Sequence, residues 1–268
     1  VPVSATDDSD DLGDGGIAQR EGILEEKYGH LRGRSVKTVA DALRDFNDTF
    51  NRPVFSVYSS IINEFLASTH LARVCAAFRY DPIFGYGFTE SFNDFLANYP
   101  NEGDRTLLFD AIIKALDLDR QQIRDDAEAV RSWLESVSSE DEVFSLLDSP
   151  GNNKVAQALH YVATAPYFEW FYSRVFGIGL FKIMEKVGVK IDQEALRRWS
   201  EKLNISIAKL EDEWASYGSA IEKMKVAEQL FAEVTAREKK KVAEKLAEQA
   251  RELEEKATKA EKEKGGVA

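Results

Sequence analysis

Three histidines, His30, His70 and His160, one cysteine, Cys75, and a scatter of serines and carboxylates are the groups with which this 268-residue chain could do chemistry. A metal held on a helix needs a second ligand three or four positions from the first. None of the histidines has a histidine or cysteine at that spacing. Cys75 is followed by Ala76-Ala77 in a helical stretch and reads as a small buried hydrophobe. No serine lies in a Gly-x-Ser-x-Gly elbow, and a nucleophile needs both a base and an oxyanion site. The carboxylate clusters "DDAE" (125–128) and "EDEW" (211–214) read as solvated helix faces. No catalytic residue, metal site or cofactor is expected, and the chain is expected not to be an enzyme.

The stretch "YSRVFGIGLFKIMEK" (172–186) offers a different chemistry, two glycines in a run of apolar side chains. A dinucleotide loop needs Gly-x-Gly-x-x-Gly after a strand, and here Lys182 stands in the third place inside an aromatic run. A membrane span is excluded by Arg174 and Lys182, each costing about 2.5–3.5 kcal/mol at the centre of a helix in lipid. Close packing remains. A glycine inside a helix costs about 0.5–1 kcal/mol against alanine, so Gly177 and Gly179 imply that a neighbouring backbone or aromatic ring needs the room.

The basic run "REKKK" (237–241) is the last candidate. Lysines near an anionic surface gain about 1 kcal/mol each, but Glu233, Glu238 and Glu244 flank this run. Contact with protein through the same helix is the stronger expectation. Its surface would be Phe231, Val234, Lys239, Lys240, Lys241, Val242, Leu246 and Leu253, an apolar stripe with a basic edge suited to a partner groove.

The elements that would carry these residues are all helical; no period-2 alternation bounded by turns occurs. Residues 1–35 include the acidic stretch "SATDDSDDLGDGG" and are expected to be a flexible tail, because so little apolar surface cannot offset the entropy of ordering. Thr38 and Asp41 form a capping-box pattern ahead of Val39, Leu43, Phe46 and Phe50. A helix over Ser56–Arg79 follows. Asp81 with Pro82 opens the next, striped by Phe84, Phe88, Phe92 and Phe95. Leu107–Ala115, Ile123–Leu134, a short piece near Val143–Leu147, and 153–165 continue the series. Pro166 is expected to open an aromatic helix over 167–187, closed by Gly188, and Asp192 to cap a short one with Leu196, Trp199 and Leu203.

From Ser206 the spacing changes. Leu210, Trp214, Tyr217, Ile221 and Met224 step by four and three, a heptad seam. Glu228 and Thr235 interrupt it, and a thinner stripe of Val242, Leu246, Ala250 and Leu253 follows. Unbroken from 206 to 264, the helix would be about 85 Å long. The fold class expected is therefore all-α, a multi-helix bundle over 36–225 with a long coiled-coil-like charged C-terminal helix over 226–268.

Bulk properties set the limits on partners. Net charge is −12, from 35 Lys and Arg against 47 Asp and Glu, so nucleic acid is not expected as a partner, because phosphate binding needs a basic surface. One cysteine cannot form an internal disulfide. No run of about 18–20 uncharged apolar residues exists to span a bilayer. The chain starts Val-Pro-Val-Ser-Ala without methionine, as expected of a processed or trimmed product.

Together, "TVADALRDFNDTFNRPVFSVYSSIINEFLASTHL" (38–71), "FRYDPIFGYGFTESFNDFLANYPNEGDRTLLFDAIIKAL" (78–116) and "YSRVFGIGLFKIMEK" resemble the thylakoid formation protein family of plastids and cyanobacteria, whose members are also called photosystem II biogenesis proteins. The resemblance rests on Arg52-Pro53-Val54, Ser56-Val57-Tyr58, His70-Leu71, Tyr80-Asp81-Pro82, Tyr99-Pro100, Asp104-Arg105 and Tyr172-Ser173-Arg174, in order, while 136–170 is not recognisably matched. Gly85-Tyr86-Gly87 stands where the family has Ala-Leu-Gly, and Asn98-Tyr99 replaces Gly-Tyr.

The resemblance implies a helical bundle with a protruding C-terminal helix, held peripherally on the stromal side of the chloroplast thylakoid membrane. It implies a non-enzymatic part in thylakoid organisation and in photosystem II assembly and repair. The partners implied are photosystem II or its assembly intermediates and the thylakoid FtsH proteases. A stable auxiliary subunit of a photosystem complex and a generic coiled-coil adaptor are the alternatives; no oligomeric state is implied.

Overall fold

The computed structural model describes residues 22–166 and 168–265, with 254, 255 and 257–265 described by backbone alone. All the regular secondary structure among them is helical. A segment α1 (residues 22–28) runs into a 3-10 turn, Gly29–Leu31. Then come α2 (Val39–Phe50), α3 (Ser56–Arg73), α4 (Pro82–Phe95), α5 (Glu102–Ala115) and α6 (Arg120–Glu135). They are followed by α7 (Glu140–Asp148), α8 (Lys154–Thr164), α9 (Arg174–Lys186), α10 (Gln193–Leu203) and α11 (Ile207–Gly265).

Side-chain caps start most of these helices, because the first turn has amide N–H groups with no partner of its own. Thr38 and Asp41 exchange both bonds of a capping box, each 3.1 Å. Asp81 accepts from the Phe84 amide at 2.8 Å with Pro82 in the first helical position. Asp192 accepts from Ala195 at 3.0 Å. At the end of α9, Gly188 has φ +80; its amide donates to Glu185 O and that of Val189 to Met184 O, the two bonds of a Schellman motif.

Two boundaries differ from expectation. The second long helix stops at Arg73, not Arg79, and the chain turns through Cys75 and Phe78. Arg73 is committed elsewhere: its guanidinium donates to Leu116 O at 2.7 Å and Asp117 O at 2.8 Å, so a cation closes the C-terminus of α5. The aromatic helix does not open at Pro166 but at Arg174, where Ser173 accepts from the Phe176 amide at 3.2 Å. Ahead of it Phe168 has φ +70, incompatible with helix, and Trp170 packs edge-on to Phe176 at 4.9 Å.

The core is built around α4, which packs against α9 on one side and α6 on another. Phe84, Phe88, Phe92 and Phe95 are all buried, as their spacing predicts, each stabilising the fold by roughly 1.5–3 kcal/mol. α2 packs on α5 and α3. A continuous apolar cluster joins Trp133 of α6, Val143 of α7 and Leu159 of α8 to Leu180 of α9 and Trp199 of α10.

Part of the expected tail is folded. Lys27 pairs with Glu169, and the Tyr28 hydroxyl donates to Phe168 O, so the segment following residue 21 is tied to the strand of chain before α9. Residues 1–21 lie outside the described residues. The chain divides into two compact units, Val1–Ile221 and Glu222–Ala268, with the boundary inside α11.

Candidate partner-binding surface

Two of the three histidines hydrogen-bond to backbone carbonyls. His70 is buried and donates from Nε2 to Lys37 O at 2.7 Å, and His160 donates from Nδ1 to Leu147 O at 2.7 Å. His30 is exposed in the middle of the 3-10 turn. No cluster of three or more metal-ligating side chains occurs among the described residues. Cys75 corrects the expectation of a buried helical position: it lies half-exposed in the turn after α3.

The glycine pair behaves as close packing requires. A Cβ on Gly179 would stand 2.5 Å from the Ile83 carbonyl oxygen and 3.1 Å from the Gly87 amide nitrogen, so α9 lies backbone against backbone on α4. A Cβ on Gly177 would instead collide with the Tyr172 hydroxyl, so that glycine makes room for an aromatic ring.

The carboxylate clusters are less solvated than their charge implies. Asp126 of "DDAE" is buried and accepts from Lys154 Nζ at 2.7 Å. Glu213 of "EDEW" has a side chain only 11% exposed and pairs with Arg174 Nε at 3.0 Å. Burial pushes the Glu213 carboxyl upward against the opposing pull of Arg174. Nearby, the Tyr217 hydroxyl donates to Asp94, which also pairs with Lys182 Nζ at 2.8 Å. Burial opposes the charge on Lys182, but hydrogen bonding and the charge of Asp94 outweigh it and hold the ammonium above its ordinary range. Burial and Asp94 together push the Tyr217 phenol upward, so it stays a donor. These bonds, with Leu210 and Tyr217 buried, seat the beginning of α11 on the bundle.

The rest of α11 leaves large apolar side chains exposed. Val234, Val242, Leu246 and Leu253 are exposed, Leu246 by 60%, and Phe231 is half-buried. Lys239, Lys240 and Lys241 are exposed. Ion pairs one helical turn apart, Glu233–Arg237 at 3.7 Å and Lys240–Glu244 at 3.9 Å, support the helix without burying it. At 100° per residue, Phe231, Val242, Leu246 and Leu253 fall within one arc, whereas Val234 stands to one side of it. There it continues Val226 and Leu230, also exposed, at steps of four; that second stripe is in the sequence but is masked by the heptad seam. No helix among the described residues is long and apolar enough to cross a membrane.

Comparison with known proteins agrees with the motifs. The model of the thylakoid formation protein family matches residues 38–246, a span that includes 136–170, where no motif is legible. Protein Thf1 of Cyanothece sp. is 31% identical over 212 residues, covering 75% of this chain and 87% of that protein. The chloroplastic THYLAKOID FORMATION1 protein of Solanum tuberosum is 31% identical over 201 residues, covering 75% of this chain and 68% of that one. The solved structure of Psb29 superposes with a TM-score of 0.68 at 28% identity, covering 78% of this chain and all of that one. The chain belongs to the thylakoid formation protein family, which is linked to thylakoid formation and photosystem II biogenesis and is not a known enzyme family.

Proposed function

We propose that this protein is a non-enzymatic factor in thylakoid membrane organisation and in the assembly and repair of photosystem II, working by protein–protein contact. It acts in the chloroplast, on the stromal side of the thylakoid membrane, as a peripheral protein. Its partners are photosystem II assembly intermediates and the thylakoid FtsH proteases. The chloroplastic names of the plant relatives support the compartment.

One observation carries the contact mechanism: between Val226 and Leu253, α11 keeps large apolar side chains exposed at helical spacing among Lys and Glu. A charged helix gains most of its stability from packing, and an apolar stripe supplies the anchors for a groove. Exchanging the exposed Val242, Leu246 and Leu253 for lysine removes those anchors. In crosslinking pull-downs from thylakoids, probed for FtsH and photosystem II subunits, the triple variant is expected to lose capture. Undiminished capture would refute the assignment of α11 as the contact surface.

A further inference from the structure

A cleft of about 440 Å³ opens on the bundle, with α4 as its floor and α5 and α6 on either side. Its base is apolar: Phe92, Phe109 and Ala127 line it, the two rings meeting edge to face at 4.9 Å. Three guanidinium groups also line it, those of Arg105, Arg124 and Arg131. We propose that this cleft binds an amphipathic organic anion, an oxyanion head carried on an apolar body.

The arginines are the reason. Arg105 is held in place: it donates from Nε to Leu96 O at 2.9 Å and from Nη2 to Asn93 Oδ1 at 2.8 Å, with its charge 5.3 Å from the Phe92 ring centroid. Those bonds use two of its five N–H donors, leaving the others for a ligand. Arg131 is fixed by Glu90 at 2.7 Å and Glu128 at 3.7 Å. The Arg124 side chain is exposed and has no hydrogen bond or ion pair with any described residue. Two carboxylates share the cleft, but both are engaged, Glu128 with Arg131 and Asp125 with the Gln121 amide at 2.8 Å. Three arginines against two carboxylates leave the lining with one positive charge in a chain of net charge −12, Glu90 pairing with Arg131 from beside it, and Arg105 and Arg124 are the guanidinium groups with no carboxylate partner among the described residues.

Guanidinium forks match the planar oxygens of carboxylate, phosphate or sulfonate, and an aromatic base takes the apolar part. The volume falls within the range of small-molecule sites, about 300–1,000 Å³. A lipid headgroup and a free soluble anion share this chemistry.

Isothermal titration of the full chain with hexyl phosphate, inorganic phosphate, hexanol and hexyltrimethylammonium tests the proposal. Hexyl phosphate is expected to bind one to one and more tightly than inorganic phosphate or hexanol, and the cation not to bind. Arg124→Ala, which breaks no side-chain hydrogen bond or ion pair within the described residues, is expected to weaken hexyl phosphate about tenfold with an unchanged Tm of the free protein. Thr106→Trp, which fills the cleft from its rim, is expected to abolish binding. Absence of saturable hexyl phosphate binding, equal binding of the cation, or full affinity in Arg124→Ala would overturn it. Co-sedimentation with phosphatidylglycerol vesicles, lost in Arg124→Ala, would identify the natural ligand as a lipid headgroup. Hexyl phosphate binding without co-sedimentation would identify a soluble anion.

Discussion

Gly87 of α4 and Gly179 of α9 face each other across a helix crossing so close that neither has room for a methyl group. A Cβ on Gly87 would meet the Val175 carbonyl oxygen and stand 2.7 Å from the Gly179 amide nitrogen. The obstacles are backbone atoms, which cannot rotate aside as a side chain can. Ridge-and-groove packing of ordinary residues keeps helix axes about 8–10 Å apart, and a glycine pair permits a nearer approach.

Gly87→Ala and Gly179→Ala should therefore each destabilise the protein by about 1–2 kcal/mol, because overpacking exceeds the helix propensity gained. Gly179→Leu should cost more. Gly218 supplies the control: it is exposed in α11 and nothing lies within 4 Å of a Cβ there. Gly218→Ala should stabilise by about 0.5–1 kcal/mol. Denaturant midpoints measure all four, and a stabilising Gly87→Ala would contradict the crossing.

Tyr217→Phe removes the donor to Asp94 while leaving the Asp94–Lys182 pair in place. A hydrogen bond to a charged group contributes about 1.5–3 kcal/mol, so a loss of that order is expected in urea denaturation. Asp94→Asn, combined with Tyr217→Phe, should show strong non-additivity. Additive losses would mean that the triad does not hold α11 on the bundle.

Asp81 gives the protein a specific pH dependence. Burial pushes its carboxyl up to about 7, against the lowering effect of hydrogen bonds from the Phe84 and Ile83 amides and Trp170. With the folded pKa above the unfolded value of 3.8, the folded state binds the extra proton. This contribution to stability is fully present below about pH 4 and is lost as pH rises through about 7. Asp81→Asn keeps the cap and removes the titration. Relative to that variant, wild type should lose stability between about pH 4 and pH 7, by no more than about 1.4 kcal/mol per pH unit, and level off above. A difference that is flat with pH would contradict the buried carboxyl.

Deleting residues 1–35 should lower the Tm by about 2–4 °C relative to deleting residues 1–21, since it removes the Lys27–Glu169 pair and the Tyr28 bond to Phe168 O. Equal melting temperatures would show that those contacts contribute nothing.

Where the sequence was legible, the cause was local. Thr38 with Asp41, Asp81 with Pro82, and Gly188 mark helix ends through atoms within a few residues, and the Phe84–Phe95 stripe states its own buried face. The need for room at Gly177 and Gly179 was legible too, though not what fills it. The misses have distant causes. Asp126 and Glu213 look like solvated charges until Lys154 and Arg174 are brought to them by the fold. Arg73 gives no sign that it will close α5 instead of continuing α3. The start of α9 was lost because Pro166 is a permissible first helical residue, and only the left-handed Phe168 rules it out. In the cleft, Arg105, Arg124 and Arg131 are separate surface charges in the sequence and meet only when α5 and α6 flank α4.

Truncation after Lys225 tests whether partner contact through the charged part of α11 is separable from folding of the bundle, with circular dichroism and denaturation read beside capture of FtsH and photosystem II subunits from thylakoids. The expected result is a cooperative, helical core with wild-type-like stability and a loss of capture. A truncated protein that folds and still captures those proteins undiminished would place recognition on the bundle and overturn the proposed function of α11.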